Sequence, residues 1–243
     1  MYRLINSAAK AATIAGTLSA SLLILPLCGQ DKPQQRLKPQ QRLEESAEVF
    51  SDIMAAPDKG IPQDLLDKSR CVVIVPGLKK GAFIVGGEYG KGFLACRDRS
   101  QHGWSAPGAV RIEGGSIGIQ AGGSESDLIL LVMNQRGEDR LLSSQFTLGA
   151  EGEVAAGPIG RSTTAQTDAK FTAEILSWSR ARGVFAGLAL KGATLRQDLE
   201  ANQALYGSKL ENRDIVTQRT KAPQAAIKLL DLLNRYSPVG KES

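Results

Sequence analysis

The sequence has almost no histidine. Its single copy is His102, and this scarcity excludes the catalytic arrangements that need a histidine base. Gly114, Ser116 and Gly118 match the G-x-S-x-G pattern of a hydrolase nucleophile elbow, but in such a site the histidine follows the serine. Here His102 precedes Ser116. We therefore interpret Ser116 as a turn residue and predict no catalytic residue in this chain.

Metal and nucleotide motifs are also missing. His102, Cys71 and Cys96 do not have the spacing of a familiar zinc site, and a structural zinc needs a fourth ligand. Lys91 follows a glycine, as in a phosphate-binding loop, but Gly92 stands where that loop has Ser or Thr. We predict that the chain binds no metal and no cofactor.

No large excess of one charge is present. The 243 residues have a formal net charge of +5, and 42% of them are hydrophobic, enough for the core of one domain of ordinary size. Residues 1–27 contain two of the 30 bases and no acid, so the remainder has 28 bases, 25 acids and a net charge of +3. This small excess mildly favours an anionic partner without selecting one, and we expect no nucleic-acid binding.

The N-terminus begins with basic residues and continues with an apolar, small-residue stretch that ends at Cys28. This pattern is typical of an export signal, assigned to residues 1–27, and the polar, Pro- and Gln-rich residues 28–40 predict a tether. We expect Cys28 to be lipidated, in a protein of the bacterial outer membrane that faces the periplasm. Pro26 and Leu27 depart from the small residues expected before such a cysteine. An ordinary cleaved signal or an uncleaved anchor is therefore the alternative.

Hydrophobic periodicity predicts helices at both ends of one domain, residues 41–243, with strands between them. Apolar residues recur at three- and four-residue intervals over 41–55 and 224–235, and 62–68 predicts a short helix. From Cys71 onward, short runs of β-branched and aromatic residues alternate with turn residues. We predict an α+β fold whose twisted antiparallel sheet, or partly closed barrel, is flanked by N- and C-terminal helices. Further helical segments are predicted at 137–143 and 197–206, and a polar connector at 209–223.

Four glycine-punctuated phrases follow one another in the central part of the chain: FIVGGEYGKG, SIGIQAGGSESDLILLVMN, FTLGAEGEVAAGPIGR and AEILSWSRARGVFAG. Each pairs a run of β-formers with glycines or small polar residues, as a strongly bent sheet needs where strands turn or backbones approach closely. Over residues 60–206 the series closely resembles the SYLF-domain family of lipid-binding proteins. The resemblance implies a non-catalytic domain that binds membrane lipid. Phosphoinositides are the ligands of eukaryotic members, some of which also bind actin.

Six bases are the candidate lipid-binding residues: Lys79, Lys80, Lys91, Arg97, Arg180 and Arg182. The two adjacent lysines are predicted on an exposed turn between apolar strands, and the next two bases on the following hairpin extend that patch. Each base near an anionic bilayer contributes about 1 kcal/mol, so two alone do not bind tightly. The two arginines are the alternative headgroup site, since a guanidinium donates two parallel hydrogen bonds to a phosphate.

These candidates have structural alternatives. A solvated turn is the alternative for the lysines. Alternation along the strand places Glu174 on the same side as Arg180, and a face that mixes acid and base suggests internal ion pairs with Asp168 and Arg161 that tie the sheet to its loops. One alternative for Cys71 and Cys96 is a disulfide, because an exported protein meets an oxidising compartment. We interpret them instead as buried, unpaired thiols.

The function expected from the sequence is a membrane-associated domain that binds anionic phospholipid or phosphoinositide-like headgroups. The alternative is a structural or protein-interaction lipoprotein of the envelope with no small ligand. An envelope protein is the expected protein partner. We do not expect actin as a partner, because a bacterial-type export signal separates the protein from a eukaryotic cytosol.

Overall fold

The computed structural model describes residues 38–56, 60–82, 85–98, 103–117, 122–158, 173–181, 184–186, 190 and 192–238. The chain divides into two compact units, Met1–Arg36 and Leu37–Ser243. The first unit lies outside the described residues, and so do several residues singled out above: Cys28, His102, Arg161, Asp168 and Arg182.

A single sheet forms the centre of the second unit. Its strands are β1 (Cys71–Ala82), β2 (Val85–Cys96), β3 (Gly108–Ile117), β4 (Gly122–Val132), β5 (Gln145–Thr147), β6 (Val154–Ala156), β7 (Ile175–Ala181), β8 (Val184–Ala186) and β9 (Thr194–Gln197). Eight of them follow the order β5-β9-β3-β2-β1-β4-β7-β6, and β8 pairs with β7. All pairs are antiparallel except β6 with β7. The sheet curls into a half-barrel, which confirms the predicted fold class.

Helices lie at both ends of this unit and in its connections. They are α1 (Pro39–Ala55), α2 (Gln63–Lys68), α3 (Gln135–Leu141), α4 (Leu199–Tyr206), α5 (Asn212–Thr217) and α6 (Ile227–Tyr236), the last preceded by a 3₁₀ turn at Gln224–Ala226. Within the described ranges, every helix is too short or too polar to cross a membrane.

Each face of the sheet carries its own apolar cluster, because successive side chains of a strand point to opposite faces. On one face, Phe93 and Ala95 of β2 and Ala109 of β3 pack in one cluster with α1 and α6. We call this the helix face. On the second face, Leu94 and Val110 belong to a cluster that includes residues of α3 and α5.

Helix α1 forms where the periodicity predicted it, and its apolar stripe faces the sheet. Leu43, Ala47, Phe50 and Ile53 are fully buried, and the Phe50 ring meets Tyr236 of α6 edge-on with centroids 5.8 Å apart. Burying a large apolar side chain contributes about 1.5–3 kcal/mol. The apolar stripe of this helix therefore belongs to the core.

Strand β1 corrects the predicted turn at Lys79 and Lys80, because both residues lie inside the strand. The Pro76–Gly77 pair forms a β-bulge instead: the pairing of β1 with β4 shifts between Val75 and Leu78, and its pairing with β2 shifts between Ile74 and Lys79. Gly77 takes a positive φ of 56°, and its N–H donates to Asp127 Oδ1 at 3.1 Å. A bulge accommodates one extra residue without ending the strand.

The two cysteines form a disulfide, so the interpretation as unpaired thiols is wrong. Cys71 and Cys96 are directly opposite in the β1–β2 register, with Cα atoms 3.9 Å apart and the sulfurs bonded. The N–H and C=O of Cys96 both bond to Ser105, away from β1. The cysteines thus occupy a non-hydrogen-bonded pair, where opposing side chains lie closest.

Candidate functional site

Of the predicted lipid-binding residues, the adjacent lysines lie on opposite faces of β1. Lys80 points to the second face and forms an ion pair with Glu88 of β2 at 3.0 Å. Lys79 points to the helix face, where it is exposed and lies directly between Tyr89 and Glu125 in the strand register. Of the pair, only Lys79 presents an unpaired charge within the described part of the chain.

Lys91 and Arg97 have internal partners. Lys91 Nζ lies 2.6 Å from Asp198 Oδ2, and the Asp198 side chain is only 1% exposed. Asp198 also caps α4, since its Oδ1 accepts a hydrogen bond from the Ala201 N–H at 3.2 Å. The charge of Lys91 therefore helps to fix the start of α4.

The Arg97 guanidinium joins the ends of two helices. It donates to the Leu66 carbonyl of α2 at 3.2 Å and to the Ser237 carbonyl after α6 at 2.8 Å. It also lies over the Trp104 ring, 4.2 Å from the centroid. Burial lowers the pKa of Arg97 from its usual value, although nearby Asp67 opposes this.

Arg180 and Glu174 are both engaged in ion pairs, as the structural alternative predicted, but with partners that the sequence did not indicate. Arg180 donates to Asp52 of α1 at 3.0 Å and to Asp127 of β4 at 3.1 Å. Burial acts to lower its pKa, but the hydrogen bonds to both aspartates outweigh this and raise it. Glu174 is held by Arg140, and by Arg136 at 3.5 Å. A lipid-binding role for the candidate bases stays a prediction.

Pairing between strands assembles a basic row that the sequence analysis did not find. Lys91 of β2 is directly opposite Arg111 of β3, which is opposite Arg196 of β9, which is opposite Gln145 of β5. Arg111 lies on the helix face, because it is two residues after Ala109, which belongs to the apolar cluster of that face. Directly opposed residues share a face, so all four lie there. Like charges directly opposite each other in a sheet are destabilising. The row therefore needs counter-charges.

One carboxylate serves both arginines of this row. Glu113 Oε1 lies 2.9 Å from Arg111 Nε, and its Oε2 lies 3.7 Å from Arg196 Nε. The shorter contact lacks hydrogen-bond geometry and the other is too long for a hydrogen bond, so within the described part of the chain both Nε atoms are buried without an acceptor. The side chains themselves remain 32% and 42% exposed for Arg111 and Arg196. Two guanidinium groups thus share one acid and are open to solvent.

A row of glycines crosses four neighbouring strands at one end of the helix face. Gly123, Gly81, Gly87 and Gly115 are directly opposite one another in β4, β1, β2 and β3. None of the four has a positive φ. A Cβ added at Gly81 or Gly115 meets no atom within 4 Å. Neither backbone conformation nor packing within the described residues therefore requires glycine at these two positions.

Tyr89 and Lys79 stand one step further along the same face. Each lies two residues from a glycine of the row, and the two are directly opposite. Tyr89 is 46% exposed and, with Ile227, is one of two exposed large apolar side chains among the described residues. Glu125 and Glu113 flank this pair on β4 and β3, so this end of the helix face combines bare backbone, an aromatic ring, one exposed base and two acids.

Comparisons with known proteins identify relatives. A family model described as "Ysc84: Las17-binding protein actin regulator" matches residues 113–236. "Protein YSC84" of Saccharomyces cerevisiae is 32% identical over 180 residues, covering 72% of this chain and 38% of that protein. The "SH3 domain-containing YSC84-like protein 1" of Homo sapiens is 30% identical over 191 residues, covering 77% of this chain and 55% of that protein.

These matches correct one expectation. "LAS seventeen-binding protein 3" of Saccharomyces cerevisiae is a further relative, 32% identical over 182 residues. Because the family description names actin regulation and this relative is named for Las17 binding, the expectation that actin is not a partner is wrong. The chain spans between 38% and 55% of the yeast and human relatives. None of these names states an enzymatic activity.

Proposed function

The chain belongs to the Ysc84 family, the SYLF-domain family that its sequence motifs resemble, and we propose that it acts as a non-catalytic domain that docks on membrane lipid. The observation that carries this proposal is the glycine-lined end of the helix face. Its four strands meet in a row without side chains, and glycine inside a strand often marks a place where another molecule approaches the backbone closely.

This end of the sheet can enter the polar region of a bilayer with a small desolvation free energy. Gly81 and Gly87, at the centre of the row, have a paired strand on each side, so their backbone N–H and C=O groups face a neighbouring strand and do not have to be stripped of water. The row also carries no charged side chain. Tyr89 and Lys79 border it, and an amphipathic aromatic ring and a long basic side chain are the residues that settle at a membrane–water interface.

The preference for anionic lipid comes from bases on the same face. Lys79 contributes about 1 kcal/mol near an anionic surface, and Glu125 directly opposite reduces this contribution. Arg111 and Arg196 lie on the same face of the sheet, further along β3 and β9 from the glycine row. Attraction by these few bases predicts weak, salt-sensitive binding.

Charge placed on the glycine row tests the proposal. Gly81→Glu with Gly115→Glu should leave the fold intact, because no atom of the described residues lies within 4 Å of either new Cβ. In flotation of a chain beginning at residue 37, this variant should partition at least about tenfold less into phosphatidylcholine–phosphatidylglycerol vesicles, since two repelled charges forfeit more than ~1.4 kcal/mol.

The matched control adds the same charge elsewhere. Gln203→Glu with Gln224→Glu places two acids on exposed helical positions and should float like the wild type. Equal flotation of the wild type and the glycine variant, both folded, rejects docking through this end of the sheet.

A second candidate function is binding to a protein of the actin machinery. Its support is the family description and the name of the Las17-binding relative. Co-sedimentation with filamentous actin tests it on the same chain from residue 37. Saturable pelleting supports it, and a chain that stays in the supernatant at every actin concentration contradicts direct binding.

A further inference from the structure

We propose that Arg111 and Arg196 form a binding site for a phosphomonoester group. The site differs from the glycine-lined end and does not depend on membrane docking. Arg111 is four residues from Gly115 along β3, about 13 Å at the rise of a strand. The two guanidinium groups project from directly opposed positions of β3 and β9 on the helix face.

The strand register prepares the two groups for one tetrahedral anion. Opposed residues of antiparallel strands have Cβ atoms about 4.5–5.5 Å apart, so both guanidinium groups reach the same small volume. A phosphate can accept a pair of hydrogen bonds from each fork, whereas a carboxylate has two oxygens and satisfies a single fork. The geometry therefore favours phosphate over a carboxylate ligand.

Charge supports an anionic ligand. Glu113 is the only carboxylate within 4 Å of either guanidinium in the described ranges. It neutralises one of two positive charges, and Lys91 in the same row is already paired with Asp198. A phosphomonoester neutralises this remaining positive charge, and its three terminal oxygens, against two in a phosphodiester, can accept from both guanidinium groups. It also compensates the repulsion between the arginines.

The hydrogen-bonding state of the arginines points the same way. Both Nε–H groups are buried and have no hydrogen-bond acceptor among the residues that the structure describes, although most buried donors in proteins have one. Their neighbours in the row are uncharged or neutralised: Gln145 on β5, and the Lys91–Asp198 pair on β2. The unfilled donor capacity of the row is thus concentrated at Arg111 and Arg196.

Binding to the full chain is tested with two probes, inorganic phosphate and vesicles. The vesicles are phosphatidylcholine doped with phosphatidic acid, a phosphomonoester, or with phosphatidylglycerol at equal surface charge, a phosphodiester. The test variant is Arg111→Gln with Arg196→Gln. The control variant is Lys209→Gln with Lys221→Gln, which removes two exposed bases elsewhere. All variants share the N-terminal segment, so differences between them report on the site.

We expect the wild type to bind inorganic phosphate, and the arginine variant to bind it at least about tenfold more weakly because charge-assisted hydrogen bonds are lost. The control variant should bind phosphate like the wild type. If the preference for phosphatidic acid over phosphatidylglycerol disappears in the arginine variant, the phosphate is a lipid headgroup. If only free phosphate binding depends on the arginines, the ligand is a soluble phosphomonoester.

Three results overturn the proposal: phosphate binding that does not depend on the arginines, an equal loss in both variants, or no binding of either probe by the wild type. If the arginine variant fails to fold, the Nε–Hε signals of the wild type decide by NMR. Shifts of the Arg111 and Arg196 signals during a phosphate titration support the site, and unmoved signals reject it. If the wild type binds inorganic phosphate but does not bind vesicles, membrane docking is rejected and this site is not.

Discussion

Replacing Arg97 with lysine keeps the positive charge but removes the planar guanidinium. In the structure this group joins the carbonyl of Leu66, in α2, to the carbonyl of Ser237, after α6, and stacks on Trp104. A lysine ammonium is a single point on a flexible stem, so it cannot reach both helix ends and cover the ring at once. We therefore expect Arg97→Lys to be a stability variant rather than a lipid-binding variant.

The expected loss follows from the contacts. A hydrogen bond from a charged donor contributes about 1.5–3 kcal/mol, and lysine keeps only one of the bonds to the Ser237 and Leu66 carbonyls, at 2.8 and 3.2 Å. Loss of the stacked cation removes roughly 0.5–1 kcal/mol more. The free energy of unfolding should therefore fall by about 3 kcal/mol.

Urea unfolding of a chain beginning at residue 37, with the disulfide intact, measures this loss. The control is Arg235→Lys, an exposed position on α6 that should stay within about 0.5 kcal/mol of the wild type. While folded, Arg97→Lys should float on anionic vesicles like the wild type. A wild-type urea midpoint for Arg97→Lys refutes the structural role of this guanidinium.

Three further predictions concern other parts of the chain. Cys28 is predicted to be the lipidated mature N-terminus, so the intact mass of membrane-extracted protein should fit a lipidated chain from Cys28; an unmodified chain cut elsewhere contradicts this. Reducing Cys71–Cys96 should lower the free energy of unfolding by about 3.5 kcal/mol, the chain-entropy value for a separation of 25 residues; equal urea midpoints with and without reductant contradict it. Burial raises the pKa of Tyr206, whose hydroxyl donates to the Pro107 carbonyl at 2.6 Å. The unfolded chain therefore ionises this phenol first, and stability should fall as pH rises above about 10. Tyr206→Phe should reduce this decrease of the urea midpoint with rising pH, and an unchanged decrease contradicts the prediction.

Local signals predicted the helices well. The spacing of Leu43, Ala47, Phe50 and Ile53 is visible in the sequence because a helix repeats every 3.6 residues. Those same residues are fully buried in α1. Strand β9 and helix α5 were missed for the complementary reason. β9 buries only Leu195, and α5 is six residues long, so neither gives a periodic signal.

Features that depend on strand register could not be predicted from the sequence. Arg111 meets Arg196 across 85 residues of chain, and Arg180 meets Asp52 across 128. The sequence identified Arg180 as a candidate for internal pairing, since its strand mixes acid and base, but not its partners. Gly87 and Gly123 stand in two of the glycine-punctuated phrases of the sequence, but only the pairing of β1 to β4 aligns them with Gly81 and Gly115 in one row.

A tryptophan introduced at position 89 tests membrane docking most directly. Trp104 and Trp178 are buried, at 7% and 2% exposure, so Tyr89→Trp adds an exposed reporter beside the glycine row. The control is Arg235→Trp, two residues before Ser237, whose carbonyl accepts from Arg97; Arg97 is eight residues from position 89, about 26 Å at the rise of a strand. When a chain from residue 37 binds anionic vesicles, the emission of the Tyr89→Trp variant should shift to the blue, and that of the Arg235→Trp variant should not change. Unchanged emission of the Tyr89→Trp variant on vesicles that float it contradicts docking through this end of the sheet.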